Sequence, residues 1–110
     1  MITKNLSKPD DLRTFEKTRI EIVTFSNTTI IRATFDAGWK WSECEKPVVG
    51  TDSCILPHNL YVISGNLTVK MDDGKTYELA PGDAAEIPPG HDAWVTGDEP
   101  CVIIDFAASK

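Results

Sequence analysis

The feature that most constrains the fold is the spacing of turns, which divide the chain about every eight to twelve residues into short strand-like runs. Turn residues stand, for example, at 72–75 (Asp-Asp-Gly-Lys), 80–83 (Ala-Pro-Gly-Asp) and 88–90 (Pro-Pro-Gly). Between the turns, β-branched and aromatic residues alternate with polar ones, as at 19–25 and 60–71, which is typical of strands. Roughly nine or ten strands at this spacing, with no long helical pattern, predict an all-β sandwich or barrel.

The chain is long enough for one domain with its own core, since it has 110 residues of which 41% are hydrophobic. A domain of this size buries roughly two thirds of the surface that its unfolded chain exposes. We predict an N-terminal extension at 1–27, followed by the barrel at 28–107. A strand at 19–25 in the extension is expected to cover or pair an open edge of the barrel, because unpaired edges invite association.

The charge pattern argues against several classes of partner. The net charge is −6 and the 11 basic residues are scattered among 17 acidic ones, so we expect no binding to nucleic acid or to a membrane surface. No apolar run approaches the roughly 20 residues that span a bilayer, and the first residues lack the apolar stretch of a secretory signal. Cys44, Cys54 and Cys101 have no disulfide or zinc-knuckle spacing. A cytoplasmic protein with a small-molecule ligand is the expectation.

Two segments point to a particular barrel. Residues 82–90 fit the pattern Gly-x5-Pro-x-Gly, and residues 60–69 form an apolar strand that contains a tyrosine and the glycine Gly65. Gly82 permits the positive φ of a tight turn, and Pro88 ends a strand without needing a donor for the ladder. Together the segments resemble the two motifs of the cupin family. The resemblance implies a single antiparallel cupin barrel (a jelly roll, or double-stranded β-helix) of the RmlC-like type, and a homodimer, because the family pairs its barrels.

The resemblance also implies positions for a metal site. The family uses a His-x-His pair, a Glu seven residues before the bend glycine, and a His three residues after the last glycine of the second motif. In this sequence Asp52 and Cys54 occupy the first pair of positions, His58 the Glu position and Ala93 the last His position. The usual ligand types are therefore absent, although some of the replacements can themselves bind a metal ion.

Alternation along the strands lets these replacements converge. Asp52 and Cys54 are two apart in an extended segment and share a face. His58 begins the next strand and points inward by analogy with the Glu that it replaces. His91 lies two residues before Ala93, so the same alternation places it inside, and the chain has no other histidine. One hypothesis is thus a metal site with Cys54, His58 and His91 as ligands and Asp52 as a fourth ligand or as a partner of a ligand.

Cysteine and histidine ligands suit zinc, with nickel, copper or ferrous iron as alternatives. A position left open on the ion would admit a substrate, which would make the protein a metal-dependent enzyme. In a second interpretation His58 is a hydrogen-bonded barrel histidine, Cys54 fills the core and His91 lies in a surface turn. A third makes Cys54 a reactive thiol, either as a nucleophile activated by His58 or as the reactive group of a thiol-based sensor module. All three stay open.

The tryptophans indicate a ligand pocket in the barrel mouth. Trp39 and Trp41 share one face of a strand predicted at 39–43, and parity puts Glu43 on the same face. Aromatic walls with a few polar groups are typical of small-molecule sites, so Trp39, Trp41, His58 and His91 are the expected pocket residues. The alternative is that the tryptophans simply fill the barrel, as large aromatic side chains often do. The leading functional hypothesis is accordingly a small-molecule-binding barrel.

Overall fold

Nine strands in two antiparallel sheets make up about half of residues 1–107, the part of the chain that the computed structural model describes. In chain order the elements are β1 (Asp11–Phe15), β2 (Thr18–Thr24), β3 (Thr29–Phe35), α1 (Trp41–Cys44), α2 (Lys46–Val49), β4 (His58–Ser64), β5 (Asn66–Met71), β6 (Thr76–Leu79), β7 (Ala84–Ile87), β8 (His91–Thr96) and β9 (Cys101–Ala107). One sheet has the order β1-β2-β3-β9-β4-β7 and the other the order β6-β5-β8. The predicted all-β class is confirmed. None of the described helices has the length and hydrophobicity that crossing a bilayer requires.

The core lies between the two sheets. Alternate residues of β4, β8 and β9 point into it, as strand geometry requires. Val62 of β4 and Cys101 of β9 are fully buried. Burying one valine or leucine side chain contributes roughly 1.5–3 kcal/mol, so this interior supplies most of the stability of the barrel.

Gly65 is the corner at which the chain leaves the six-stranded sheet for the three-stranded one. The pairing of β4 with β9 shifts register between Val62 and Ser64, and Gly65 follows with a φ of +75°. A Cβ at this position would lie 2.7 Å from the Cα of Cys101 and would also collide with the carbonyl oxygen of Pro100. Only glycine fits both the backbone angle and the space, so the glycine inside the predicted long strand marks a bend.

The N-terminal extension continues the six-stranded sheet. The strand predicted at 19–25 corresponds to β2, which pairs with β3, the first strand of the barrel. It is not the outermost strand of the sheet, because β1 pairs with its other side. The two edges of this sheet are β1 and β7. Glu21 and Arg32 join β2 to β3 through two hydrogen bonds of 2.8 and 2.9 Å. An additional strand at Asp11–Phe15, which the sequence pattern does not reveal, therefore occupies the edge position.

The strand predicted at 39–43 is replaced by a helical turn. Only Lys40 forms a bridge, with Trp94, and α1 begins at Trp41. Trp41 and Cys44 are buried while Glu43 is exposed, which is the three-residue period of a helix and not the two-residue period of a strand. Glu43 therefore does not share a buried face with the tryptophans.

Candidate metal centre

Cys54, His58 and His91 meet between the two sheets at one end of the barrel. His58 is the first residue of β4 in the larger sheet, and His91 is the first residue of β8 in the smaller one. Their ligand atoms and the Cys54 sulfur all lie within 4.8 Å of one another. The Cys54 Sγ atom is 3.5 Å from His58 Nε2, and the two imidazole rings meet edge-on with centroids 5.2 Å apart.

Cys54 is held beside His91 by backbone hydrogen bonds. The two residues form an isolated β-bridge, in which Cys54 N donates to His91 O at 2.7 Å. Gly90 N donates to Cys54 O at 2.8 Å. Gly90 has a φ of +92°, and a Cβ there would stand 2.8 Å from a carboxylate oxygen of Asp72. The glycine that ends the second motif thus allows the turn that brings His91 to Cys54.

Hydrogen bonds orient both imidazoles. His58 Nδ1 lies 2.6 Å from Asp105 Oδ2, and His91 Nδ1 lies 3.0 Å from the carbonyl oxygen of Pro88. A carbonyl oxygen can only accept, so His91 Nδ1 carries a hydrogen and donates it. Metal-binding histidines commonly donate one ring N–H to a carboxylate or carbonyl, which leaves the other nitrogen free for the ion. In both residues Nε2 is then the ring nitrogen that could bind an ion, and in His58 it lies 3.5 Å from Cys54 Sγ, within hydrogen-bond distance.

Asp105 is a site residue that the sequence interpretation missed. It is 9% exposed, lies on the inward face of β9, and its Oδ1 accepts a hydrogen bond of 3.3 Å from Asn59 N. The sequence does contain a pattern that predicts its inward position, because alternation along β9 from the buried Cys101 through Ile103 places residue 105 inside. An acid at an inward position of an apolar strand requires a partner, and here the partner is His58.

The electrostatics of the cluster favour a thiolate. Burial disfavours ionisation of Cys54, but hydrogen bonds from His58 and His91 outweigh it and lower the pKa of the thiol to about 6. Burial also disfavours the charged form of His58, but Asp105 and Cys54 raise the pKa of its imidazole to about 9. Cys54 and His58 therefore form a thiolate–imidazolium pair at neutral pH, and a metal ion would replace the proton on His58.

Glu45 is a second residue that the sequence interpretation missed. It separates α1 from α2 and is half-buried. Burial, together with the negative charge of Cys54, raises the pKa of its carboxyl to about 7, while His58 acts in the opposite direction.

The structure does not bring Asp52 into the group. Its side chain is fully exposed and forms an ion pair with Lys46 at 4.0 Å. The assumption that Asp52 and Cys54 share a face fails because residues 51–53 do not belong to a strand. Alternation of faces applies only to extended, paired backbone, and Cys54 reaches the site through its bridge alone.

The two predicted pocket tryptophans belong to the hydrophobic core. Trp39 is 3% exposed and stacks on Phe35 with ring centroids 4.0 Å apart, and Trp41 is also buried. Trp39 Nε1 is nevertheless buried without a hydrogen-bond partner among residues 1–107. A surface hollow of about 570 Å³ lies elsewhere, around Tyr61 and Phe106. The ligand pocket stays a prediction, and the unpaired indole N–H is the observation in its favour.

Comparison with known proteins agrees with this architecture. Residues 57–107 match the family described as cupin domain. The polyketide cyclase RemF from Streptomyces resistomycificus is similar in structure, with a TM-score of 0.70 and 18% identity over 100% of this chain and 80% of that one. KdgF from a Halomonas species has a TM-score of 0.63 and 21% identity, with coverages of 91% and 86%.

An RmlC-like cupin from Shewanella frigidimarina NCIMB 400 has a TM-score of 0.64 and 18% identity, over 91% of this chain and 84% of that one. No curated protein sequence matches the chain. Identities this low show a shared fold and leave the activity open. The predicted cupin fold is confirmed.

Proposed function

Because this chain is a small cupin domain with a rebuilt Cys/His cluster, we propose that it binds one divalent transition metal ion through Cys54, His58 and His91. The ion would hold a small molecule at its remaining position. One observation carries the proposal: three ligand atoms converge within 4.8 Å, and both histidines have Nδ1 engaged outside the group, which leaves Nε2 as the nitrogen for an ion.

The spacing of the Cys54 and His58 ligand atoms fits such an ion. Zinc bonds to sulfur at about 2.3 Å and to imidazole nitrogen at about 2.0 Å, and two such bonds at a tetrahedral angle place the two atoms about 3.5 Å apart. The distance from Cys54 Sγ to His58 Nε2 is 3.5 Å. One thiolate and two imidazoles suit zinc best, with nickel, copper or ferrous iron as alternatives.

The chain's own residues hold and orient the ligands. Asp105 fixes the ring of His58, and the carbonyl of Pro88 fixes the ring of His91. When bound, the ion acts as a Lewis acid toward a small molecule at its open position. The unpaired indole N–H of Trp39 offers a donor that a polar ligand inside the barrel would satisfy. The fold serves an enzyme in RemF, so an enzymatic use of this site is compatible with it.

Metal analysis tests the proposal. Protein purified without chelator should carry about one metal ion per chain, and Cys54→Ser/His91→Ala should lose it. Cys44→Ser is the matched control, since Cys44 is buried but outside the cluster and its sulfur lies 3.5 Å from Glu16. In Co²⁺-loaded protein a thiolate-to-cobalt absorption band should disappear in Cys54→Ser. Folded wild-type protein that takes up neither Zn²⁺ nor Co²⁺ would contradict the proposal.

A reactive thiol is the second candidate function. The observation in its favour is the relay from Cys54 Sγ to His58 Nε2 at 3.5 Å and from His58 Nδ1 to Asp105 at 2.6 Å. An imidazole held by a carboxylate next to a thiol is the usual arrangement of an activated cysteine. In metal-free protein iodoacetamide should modify Cys54 much faster than Cys101 at pH 7. Equal rates at the two cysteines would eliminate this candidate.

We also propose a homodimer. Strand β7 is an open edge of the larger sheet. Tyr61 and Ile63 on the adjacent β4, and Phe106 on β9 beyond it, are large apolar residues that are 43–48% exposed. Open edges and apolar patches of this kind are typical of association surfaces. Sedimentation equilibrium should give twice the chain mass, and Tyr61→Lys should shift the equilibrium toward the monomer. A wild-type monomer at high concentration would refute the dimer.

A further inference from the structure

Cys54 differs from the other two cysteines of the chain in what lies beside its sulfur. His58 Nε2 is 3.5 Å from Cys54 Sγ, whereas the atom 3.5 Å from Cys44 Sγ is a carboxylate oxygen of Glu16. Cys101 is fully buried in the hydrophobic core. An imidazole can take the proton of a thiol, while an acidic or apolar environment disfavours the thiolate. Cys54 is therefore the cysteine whose surroundings favour a nucleophilic sulfur.

His58 is held at this sulfur by a second contact. Its Nδ1 lies 2.6 Å from Asp105 Oδ2, which fixes the ring with Nε2 toward Cys54 Sγ. A carboxylate, an imidazole and a thiol in this order keep a proton donor and acceptor beside the sulfur. The side chain of His58 is 23% exposed, so the pair is open to small solutes from this side.

The same sulfur is the anionic ligand of the proposed metal centre. Of the three residues that could hold the ion, the other two are histidines, which bind a metal as neutral imidazoles. A cysteine binds a metal only as the thiolate, so a group added to Sγ removes both a ligand and the negative charge that offsets the ion. Metal binding and chemical modification of Cys54 therefore compete for one atom.

We infer that Cys54 is a site of reversible oxidation by a hydroperoxide, and that its conversion to a sulfenic acid releases the ion of the proposed metal centre. The inference rests on the proposed metal centre and adds a means of regulating it. The three ligand atoms lie within 4.8 Å of one another, so the loss of one ligand leaves only two imidazoles to hold the ion. Oxidation thus turns metal binding off, and reduction restores it.

The oxidation requires only hydrogen peroxide and the proton that Cys54 and His58 share. The sulfur attacks one peroxide oxygen, so that an S–O bond forms and the O–O bond breaks. The leaving hydroxide takes the shared proton from His58 Nε2 and departs as water. The sulfur is oxidised to a neutral sulfenic acid, the peroxide is reduced and the imidazole is left neutral. An added thiol then displaces water to form a mixed disulfide, and a second thiol frees Cys54.

Peroxide treatment of Zn²⁺-loaded protein tests the inference. Hydrogen peroxide should release about one ion per chain to a chromogenic chelator that is too weak to strip the untreated protein. Dimedone, which reacts with sulfenic acids, should then label Cys54, as located by mass spectrometry. In metal-free protein Cys54 should be labelled at least about tenfold faster than Cys101, and added Zn²⁺ should slow that labelling. In the absence of dimedone, dithiothreitol, once removed again, should restore Zn²⁺ binding.

Two variants show which cysteine is responsible. Cys44→Ser keeps the cluster intact and should release Zn²⁺ as wild type does. Cys54→Asp replaces the thiolate with a carboxylate, which can bind zinc but which peroxide does not oxidise, so its ion should stay bound. Zn²⁺-loaded wild-type protein that keeps its ion under peroxide, or that loses it with Cys54 unlabelled, overturns this inference alone. Protein that loads no Zn²⁺ overturns the metal centre and the inference together.

Discussion

Strands β4, β8 and β9 each carry apolar inward residues at one end of the barrel and polar ones at the other. At the apolar end stand Val62, Val95, Cys101 and Ile103, and at the polar end stand His58, His91 and Asp105, which Cys54 joins from the preceding loop. The polar-end residues of β8 and β9 are almost as buried as their apolar counterparts. Burial therefore does not distinguish the ends, and the chemistry of the side chains does. Buried polar groups stabilise a fold only when each has its partner. A cluster of them at one end of the barrel is therefore typical of a binding or catalytic site.

The two cysteines show the difference most directly. Cys101 at the apolar end is fully buried, and burial raises the pKa of its thiol to about 11. Cys54 at the polar end is 6% exposed, yet its hydrogen bonds to His58 and His91 outweigh burial and lower its pKa to about 6. One residue type thus serves as a core side chain at one end and as a thiolate at the other. Its neighbours, more than its exposure, determine which role it takes.

Shortening Val62 should have the largest effect on stability and none on the site. Val62→Ala removes buried methyl groups and leaves a cavity, so the free energy of unfolding should fall by about 2 kcal/mol. Urea denaturation measures this loss, and metal affinity at 25 °C should stay at the wild-type value. A matching loss of metal affinity would mean that the two ends are coupled and that the comparison is wrong.

Changing Asp105 should weaken metal binding, which the Val62 substitution should leave unchanged. Asp105→Asn keeps the shape of the side chain but weakens its hold on His58, and such partners of metal ligands typically contribute about tenfold or more to affinity. Competition for Zn²⁺ with a chromogenic chelator should therefore show about tenfold weaker binding. Asp98→Asn, in the exposed turn before β9, is the control and should bind as wild type does. Unchanged affinity in Asp105→Asn would remove His58 from the proposed ligand set.

Neutralising Glu45 should have the smallest effect and should depend on pH. The pKa of this carboxyl is raised from 4.5 to about 7 on folding. A raised acid costs stability above its folded pKa, and the cost disappears as the pH falls below its unfolded pKa. In metal-free protein Glu45→Gln should raise the free energy of unfolding by about 1 kcal/mol at pH 8, after allowance for partial exposure, and leave it unchanged at pH 4.

Denaturation curves at the two pH values measure this difference, and Glu43→Gln should show none. Stabilisation of equal size at pH 4 and pH 8 would show that the carboxylate charge is not the cause. The expected pattern would establish that Glu45 is retained at a cost to stability, as residues of functional sites often are.

Alternation along strands explains what could be predicted of the site. The inward position of His91 follows from parity in β8, and the structure buries that side chain to 4% exposure. The convergence of Cys54, His58 and His91 follows from that parity and from the resemblance to the cupin motifs. Where the backbone is not a paired strand the same rule fails, as it does for the exposed Asp52 and for the helical turn that begins at Trp41.

By itself the sequence determined the fold class, the corner at Gly65 and the side chains that face inward, because turn chemistry and strand alternation are local properties. Only the tertiary structure decided which inward side chains meet. Asp105 lies 47 residues from His58 and reaches it because β4 pairs with β9 in the register that opposes Leu60 to Asp105. The helical turn α1 lies beside β8 because Ser42 N donates a hydrogen bond to the Asp92 side chain, 50 residues away in the sequence. Register and loop packing depend on contacts between distant parts of the chain, and periodicity along the chain does not encode them.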